Sequence, residues 1–476
     1  MGAMKKSLIQ RGMVLMYYAL MLVLFFSCWQ LFYSHVADGK AVEAINISVC
    51  ALYAASLLML SRIYSAYRVG LLHVGDLFYG QTLANLISLG LTYLLACVLA
   101  RKLINPLAGF GCAAVQALLG VVWTVSANKL YFTLHKPKRT VVIYRNENDL
   151  RKLEEIRFFA ERWKVERTVQ WEEAYTHDLP REGDTLVSRS YESIQKLIRI
   201  MEDYEAVFVS GVSATLRNGI VKYCVEKGKA CYFVPHTGDV IISGAEHIRS
   251  FSVPICRARR SKPAPEYLMV KRAMDILLSL VAIIVASPFM ALTALAIWGY
   301  DRGPVLYKQV RLTKDGKKFR ILKFRSMRQD AEKDGVARLA SEHDDRITPI
   351  GKIIRAVRFD ELPQLFNILK GDMSIVGPRP ERPEIAEHYR EELPAFDLRL
   401  QVKAGLTGYA QVYGRYNTEP QDKLKMDLMY INHASMAEDI KLIFATVRIL
   451  FLKDSTAGIT DGQTTASVAE KVEKSA

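Results

Sequence analysis

The chain has 476 residues, half of them hydrophobic and 24% charged, with a formal net charge of +15. Such a length suits about three domains at roughly 150 residues each. The mixture of apolar and charged residues excludes a disordered chain, a collagen-like repeat and a small disulfide scaffold. Seven cysteines form no CxxC pair and four lie in apolar stretches, the pattern of buried small hydrophobes, not of metal or disulfide work. Excess positive charge suits nucleic acid or an anionic membrane surface. The apolar blocks decide for the membrane, with no nucleic acid partner.

Four apolar stretches fill the first quarter, at residues 13–33, 41–60, 77–100 and 107–127. Each is near the roughly 20 residues that cross a bilayer core of ~30 Å. The first is longer than a signal-peptide core and three more follow, so it reads as an anchor. Lys5, Lys6, Arg11, Arg62, Arg68, Lys129, Lys136, Lys138 and Arg139 fall on one side of these spans; only Lys40, Arg101 and Lys102 fall on the other. The positive-inside rule puts the first side in the cytoplasm. Inside the spans the only ionisable residue is Glu43, near an end, whereas a transport pathway usually needs such groups. Residues 1–135 therefore read as a four-helix transmembrane anchor and oligomerisation surface.

Residues 136–256 change character. Short β-rich runs at 140–144, 206–210 and 230–234 alternate with helix-like segments near 147–162, 191–203 and 213–227, which predicts an α/β module with a parallel sheet. A dinucleotide site needs glycines after the first strand, but Tyr144 is followed by Arg145, Asn146 and Glu147. The expectation is a Rossmann-like shell without a cofactor loop, serving as a spacer, regulatory or dimer module. A basic, proline-containing linker follows at 257–265.

The fifth apolar segment, near 273–298, is long enough to cross. Both its flanks are basic, however, and Ser287-Pro288 sits at its middle, where proline removes a backbone donor. A re-entrant helix over 266–300 satisfies both facts, and a Pro-kinked span is the alternative. Asp275, near the segment's end, is expected to pair with Arg272, since an unpaired carboxylate is costly there.

Residues 301–415 are rich in basic residues, glycine and proline. Pro363 suits the first turn of a helix and Gly371 its end, so Asp360 and Glu361 stand at a helix N-terminus, where phosphate can dock. Adjacent residues point in different directions, so one carboxylate can attack while the other holds a metal; alone, the pair would read as a helix cap. Arg379, fixed between Pro378 and Pro380, and the glycine-punctuated run from Lys403 to Arg415 supply cations for phosphate. The combination suits phosphoryl transfer between a soluble donor and a lipid acceptor.

From about Tyr267 to Leu452 the chain resembles the bacterial sugar transferase family, the monotopic polyprenol-phosphate phosphoglycosyl transferases. Lys271-Arg272 with Asp275, Ser287-Pro288, the Lys323 motif, Asp360-Glu361-Leu362-Pro363-Gln364-Leu365, Pro378-Arg379-Pro380 and the Gly405–Arg415 loop carry the resemblance. With the N-terminal spans and the α/β module, the whole is similar to the large members that begin exopolysaccharide, capsule or O-antigen repeats. The resemblance implies a monotopic α/β catalytic domain over 266–455, anchored by the re-entrant helix, and a flexible tail at 456–476.

It further implies that Asp360 attacks the β-phosphate of a UDP-sugar, releasing UMP, and that undecaprenyl phosphate takes the hexose phosphate from the aspartyl intermediate. Glu361 would help hold Mg2+, with Lys323, Arg355, Arg379 and Arg415 as substrate or phosphate contacts. Asp427 falls where the family also has an aspartate, in a structural or substrate-binding role. Many relatives carry Trp where Tyr409 stands and Asn or Ser where Tyr413 stands, so the donor sugar stays open; glucose or galactose is the first expectation. His343 and His388 read as surface residues. A homodimer in the bacterial inner membrane, facing the cytoplasm, is expected. The alternatives are a catalytically silent membrane scaffold or a receptor for a polysaccharide assembly complex.

Overall fold

In the computed structural model, residues 3–34, 42–153, 160–171, 186–248, 253–261, 263–329, 331, 344–414 and 418–449 are described. The chain divides into two compact units, Met1–Pro235 and His236–Ala476.

The first unit opens with α1 (Ala3–Phe32), α2 (Val42–Ile63), α3 (Val74–Ala100) and α4 (Leu107–Leu134). All four are long and apolar enough to cross a membrane. α1 packs on α2 and α4, and α3 lies against both of those. Their outer faces expose Leu15, Val23, Phe26, Leu94, Val98, Leu118 and Val122, as a lipid-facing surface requires. The polar residues turn inward. Asn85 donates to Tyr17 (2.8 Å) and accepts from Tyr53 (2.9 Å), and Gln116 donates to Tyr53 (2.9 Å). Hydrogen bonds of this kind join helices where apolar side chains gain little by leaving lipid for each other.

After the bundle come β1 (Lys138–Tyr144), α5 (Glu147–Arg151), β2 (Trp163–Gln170), α6 (Leu186–Met201), β3 (Ala206–Ser210), α7 (Ala214–Glu226) and β4 (Ala230–Phe233). The strands form a parallel sheet in the order β2-β1-β3-β4. Val141, Ile143, Val207 and Val209 meet Leu197, Met201 and Ile220 in its core. Of the helix expected near 147–162, α5 covers five residues, and 154–159 lie outside the described residues; β2 is a strand missing from the sequence reading.

The second unit begins earlier than the linker composition suggested. α8 (Thr237–Ser243) and the hairpin of β5 (Glu246–Ile248) and β6 (Ile255–Arg257) belong to it. Val240 is buried in its main core, and its carbonyl accepts from Asn432. Packing, not composition, sets this boundary. Next come α9 (Pro265–Asp301), the antiparallel hairpin of β7 (Leu306–Leu312) and β8 (Lys318–Phe324), α10 (Pro349–Ala356) and α11 (Gln364–Lys370). β9 (Ser374–Val376) pairs in parallel with β10 (Gly405–Thr407); α12 (Pro383–Glu392) lies between them in sequence. α13 (Tyr409–Tyr413), α14 (Pro420–Asn432) and α15 (Met436–Ile449) complete the unit. Phe319, Ile321, Leu365, Ile368, Met373, Phe396, Leu424, Leu428 and Leu442 form the core.

α9 is one helix of 37 residues with Pro288 inside it. Straight, that length would be about 55 Å at 1.5 Å per residue, well beyond a ~30 Å hydrocarbon core. Pro288 has no N–H for the Ile284 carbonyl, and the Ser287 hydroxyl donates to that carbonyl instead, at 2.8 Å. Leu277, Val281, Ile284, Val285, Leu292 and Leu295 are exposed.

The opposite face of α9 is docked along its whole length. Lys271 meets Asp439 at 2.8 Å, and Arg272 donates to the carbonyls of Ile368 (2.6 Å) and Leu369 (2.7 Å), neutralising the C-terminal end of α11. Ala282 and Ile283 pack on the main core, and Met290, Ala294 and Ile297 pack with Phe324, Ile354, Phe359 and Leu362. At the far end Asp301 pairs with Arg325. The expected Asp275–Arg272 pair is not formed. Each uses main-chain partners instead, Arg272 donating to carbonyls in the last turn of α11 and Asp275 accepting from the Ile375 N–H of β9 at 3.0 Å.

Candidate active site

Three elements converge on Glu361. β8 delivers Lys323, whose Nζ donates to Glu361 Oε1 at 2.9 Å. The segment after β9 delivers Arg379, whose Nη2 reaches the same oxygen at 3.3 Å. Asp360 and Glu361 themselves lie in a 3-10 turn over Phe359–Glu361, immediately before α11. The turn starts at Arg358, whose φ of 55° is left-handed, a strain that concentrates at functional positions. Gly371, at φ 96°, ends α11 as its αL cap. The helix read from Pro363 and Gly371 is therefore present between them.

The frame around these residues is rigid. Asn367 of α11 accepts from the Leu322 N–H (2.9 Å) and donates to the Arg320 carbonyl (2.8 Å), which fixes β8, and so Lys323, over the Asp-Glu turn. On the other side the backbones of Gly377, Gly405 and Gly408 nearly touch. A Cβ on Gly405 would lie 2.1 Å from the Gly377 nitrogen, so no other residue fits.

The two carboxylates are shifted in opposite directions for a physical reason. Burial would raise Glu361, but Lys323, Arg379 and Arg358 together hold it well below the usual carboxylate range. Asp360 is pushed up, first by burial and also by the Glu361 charge, against the pull of Lys323, Arg355 and Arg379. Among the described residues no donor is hydrogen-bonded to the Asp360 carboxylate, while Glu361 Oε1 takes two cations. Asp360 is thus an ionisable, half-buried oxygen donor held beside four cations and left without a direct partner.

Of the residues singled out in the sequence, Asp360, Glu361, Lys323 and Arg379 come together, and Arg355 acts on Asp360 through its charge. Arg415 lies outside the described residues, as does His343. His388 is a surface residue near Glu391 and Glu392. Arg272, Asp275, Ser287 and Pro288 sit in α9, where the first two tie it to α11 and β9. Arg358, Asn367, Arg399 and Glu381 were missed. Asp427 is fully buried against Arg399 at 2.8 Å, and Arg399 meets Glu381 at 3.4 Å. No local signal marks Asn367, Arg399 and Glu381, whose partners lie far away in sequence, whereas Arg358 stands only three residues before Glu361.

No three His, Cys, Asp or Glu side chains converge among the described residues. The donor set nonetheless fits a hard divalent cation shared with a diphosphate, because such ions take one or two carboxylates and complete their shell with phosphate and water. Asp360 and the second Glu361 oxygen are the atoms not committed to a side-chain cation.

Residues 266–453 match the family model described as bacterial sugar transferase. The chain is 43% identical over 191 residues to a UDP-N-acetylgalactosamine-undecaprenyl-phosphate N-acetylgalactosaminephosphotransferase of Aeromonas hydrophila, covering 40% of this chain and 45% of that one. It is 41% identical over 184 residues to the UDP-glucose:undecaprenyl-phosphate glucose-1-phosphate transferase of Escherichia coli (strain K12), covering 38% and 39%. The match therefore spans less than half the length of either relative. A putative undecaprenyl-phosphate N-acetylgalactosaminyl 1-phosphate transferase of Bacillus subtilis (strain 168) is 48% identical over 153 residues, 32% of this chain and 85% of the relative.

Proposed function

The chain belongs to the bacterial sugar transferase family, and on that footing we propose that it transfers a sugar 1-phosphate from a UDP-sugar to undecaprenyl phosphate, releasing UMP. The observation that carries the reading is the Asp360–Glu361 pair: one carboxylate committed to Lys323 and Arg379, its neighbour uncommitted among cations.

An Asp360 oxygen attacks the β-phosphorus of the donor. The bond from that phosphorus to the bridging oxygen breaks, UMP leaves with the electron pair, and a sugar-phospho-aspartyl intermediate remains. A phosphate oxygen of undecaprenyl phosphate then attacks the same phosphorus, and the Asp360 carboxylate departs unchanged. Lys323, Arg355 and Arg379 neutralise the diphosphate and the charge that develops on the leaving group; Arg415 is assigned to the same task. Glu361 would help hold Mg2+, which supplies charge neutralisation for UMP as leaving group. The product, undecaprenyl-diphospho-sugar, would open an exopolysaccharide, capsule or O-antigen repeat, with a hexose as the first candidate.

The setting follows. The chain is a membrane protein, and the proposal puts it in the inner membrane as a homodimer with residues 236–476 facing the cytoplasm. The sheet of the first unit is read as Rossmann-like. We assign α9 as re-entrant, because both its ends are anchored to one unit by Lys271–Asp439 and Asp301–Arg325. A crossing helix would deliver its ends to opposite compartments.

The test supplies purified protein with a panel of UDP-sugars, Mg2+ and undecaprenyl phosphate, and measures UMP. UMP release that is lost in Asp360→Ala and with EDTA supports the reading. No release with any donor, from folded protein, sinks it. Donor without acceptor should leave Asp360 carrying the sugar phosphate by mass spectrometry. Cysteine labelling at positions 271 and 302 should report a single side of the membrane.

A further inference from the structure

The segment Pro378–Glu381 carries Arg379 between two prolines, neither of which has an N–H, so its carbonyls are the main chain's chief points of attachment. All four are occupied. Pro378 accepts from the Gly405 N–H at 2.9 Å and Glu381 from the Leu312 N–H at 3.0 Å. The Arg379 carbonyl accepts from Arg399 Nη2 at 2.9 Å, and the Pro380 carbonyl from Arg311 Nη1 at 3.1 Å. Arg379 is thus held at both ends, its side chain on Glu361 and its carbonyl on Arg399.

Arg399 is itself fixed on every side. Nε and Nη2 meet Asp427 Oδ2 at 2.9 and 2.8 Å, Nη1 meets Glu381 Oε1 at 3.4 Å, and the guanidinium lies 4.9 Å from the centre of the Phe396 ring. With its side chain 4% exposed, it cannot touch a substrate. A buried ion pair is a poor source of stability, since well-packed apolar groups usually do as well. What an apolar group cannot do is direct a hydrogen bond onto the Arg379 carbonyl.

We infer that Arg399 is a positioning residue, held by Asp427 and Glu381, which aims Arg379 at the donor phosphates by fixing its carbonyl. The inference rests on the transferase reading above and adds to it the residue that determines where Arg379 points. It also gives Asp427 its role: Asp427 orients Arg399 and never meets the substrate.

The test is a double-mutant cycle on UMP release by the full-length protein. Arg399→Lys keeps the charge but loses the planar fork that serves Asp427 and the Arg379 carbonyl together. Expected is a fall in kcat/KM of about tenfold against the unaltered protein, but under about twofold in the Arg379→Ala background, the signature of two residues acting as one. Equal losses in both backgrounds mean a merely structural role and overturn the inference, as does no loss in the single variant. Should Arg399→Lys fail to accumulate, Asp427→Asn enters the same cycle with the same expectation. Unaltered folded protein that releases no UMP overturns the transferase reading and this inference with it.

Discussion

Two clusters of charge in the second unit are made of the same parts. One joins Asp360 and Glu361 to Lys323, Arg355, Arg358 and Arg379; the other joins Asp427 and Glu381 to Arg311, Arg399 and Lys423. In each, burial pushes the aspartate up, and burial of the glutamate is overcome by its cations, which hold it down. The difference lies in what each aspartate touches. Asp427 is 1% exposed and directly bonded to Arg399, whereas Asp360 is half-buried and reached only through space. A carboxylate whose partners are saturated can only orient its neighbours; one whose neighbours act at a distance remains available to a substrate.

The largest expected effect would break this contrast if absent. Asp360→Asn should lower UMP release by at least about 10³-fold, as removal of an attacking group does, while Asp427→Asn should lower it by about tenfold, as loss of a supporting contact does. Comparable losses in the two variants would make the clusters functional equals. Next in size, Lys323→Ala and Arg379→Ala should each cost about 10²-fold, the usual effect of one donor removed from developing charge. Either variant with full activity would detach Glu361's partners from the chemistry.

The smallest effect sharpens the contrast through pH. The Asp427 carboxyl is raised to about 6, first by burial and against the pull of Arg399. A carboxyl raised in the folded state binds its proton more tightly there than when unfolded, so its contribution to stability falls as pH rises through 6. Glu381 is lowered and works in the opposite sense, but its window opens only below the ordinary glutamate pKa near ~4.3. The apparent unfolding temperature, read at one scan rate, should therefore rise by a few degrees from pH 7 to pH 5. Asp427→Asn should flatten that slope. A slope unchanged in the variant would assign it to other groups.

Much of this was legible because it is local. Pro363 and Gly371 bracket α11 a few residues from Asp360, and Ser287-Pro288 announces an irregularity within an apolar run. β2 was not legible: Lys164, Glu166, Arg167 and Gln170 crowd a strand at the edge of its sheet, where apolar alternation is weak. Arg399 and Asp427 lie 28 residues apart and look like ordinary surface charges until the chain folds them together. The boundary before α8 was hidden for a similar reason, since Val240 belongs to a core assembled from residues far downstream. Local patterns reveal turns, caps and apolar runs; contacts across long sequence separations appear only after packing.

The docking of α9 along its entire length has a practical meaning. Its inner face is a wall of the protein core and its outer face is bare hydrocarbon, so it cannot be trimmed away like an ordinary tether. A fragment beginning near residue 236 should still sediment with vesicles, without help from the first four helices. Deleting α9 itself should yield insoluble material instead of a soluble enzyme.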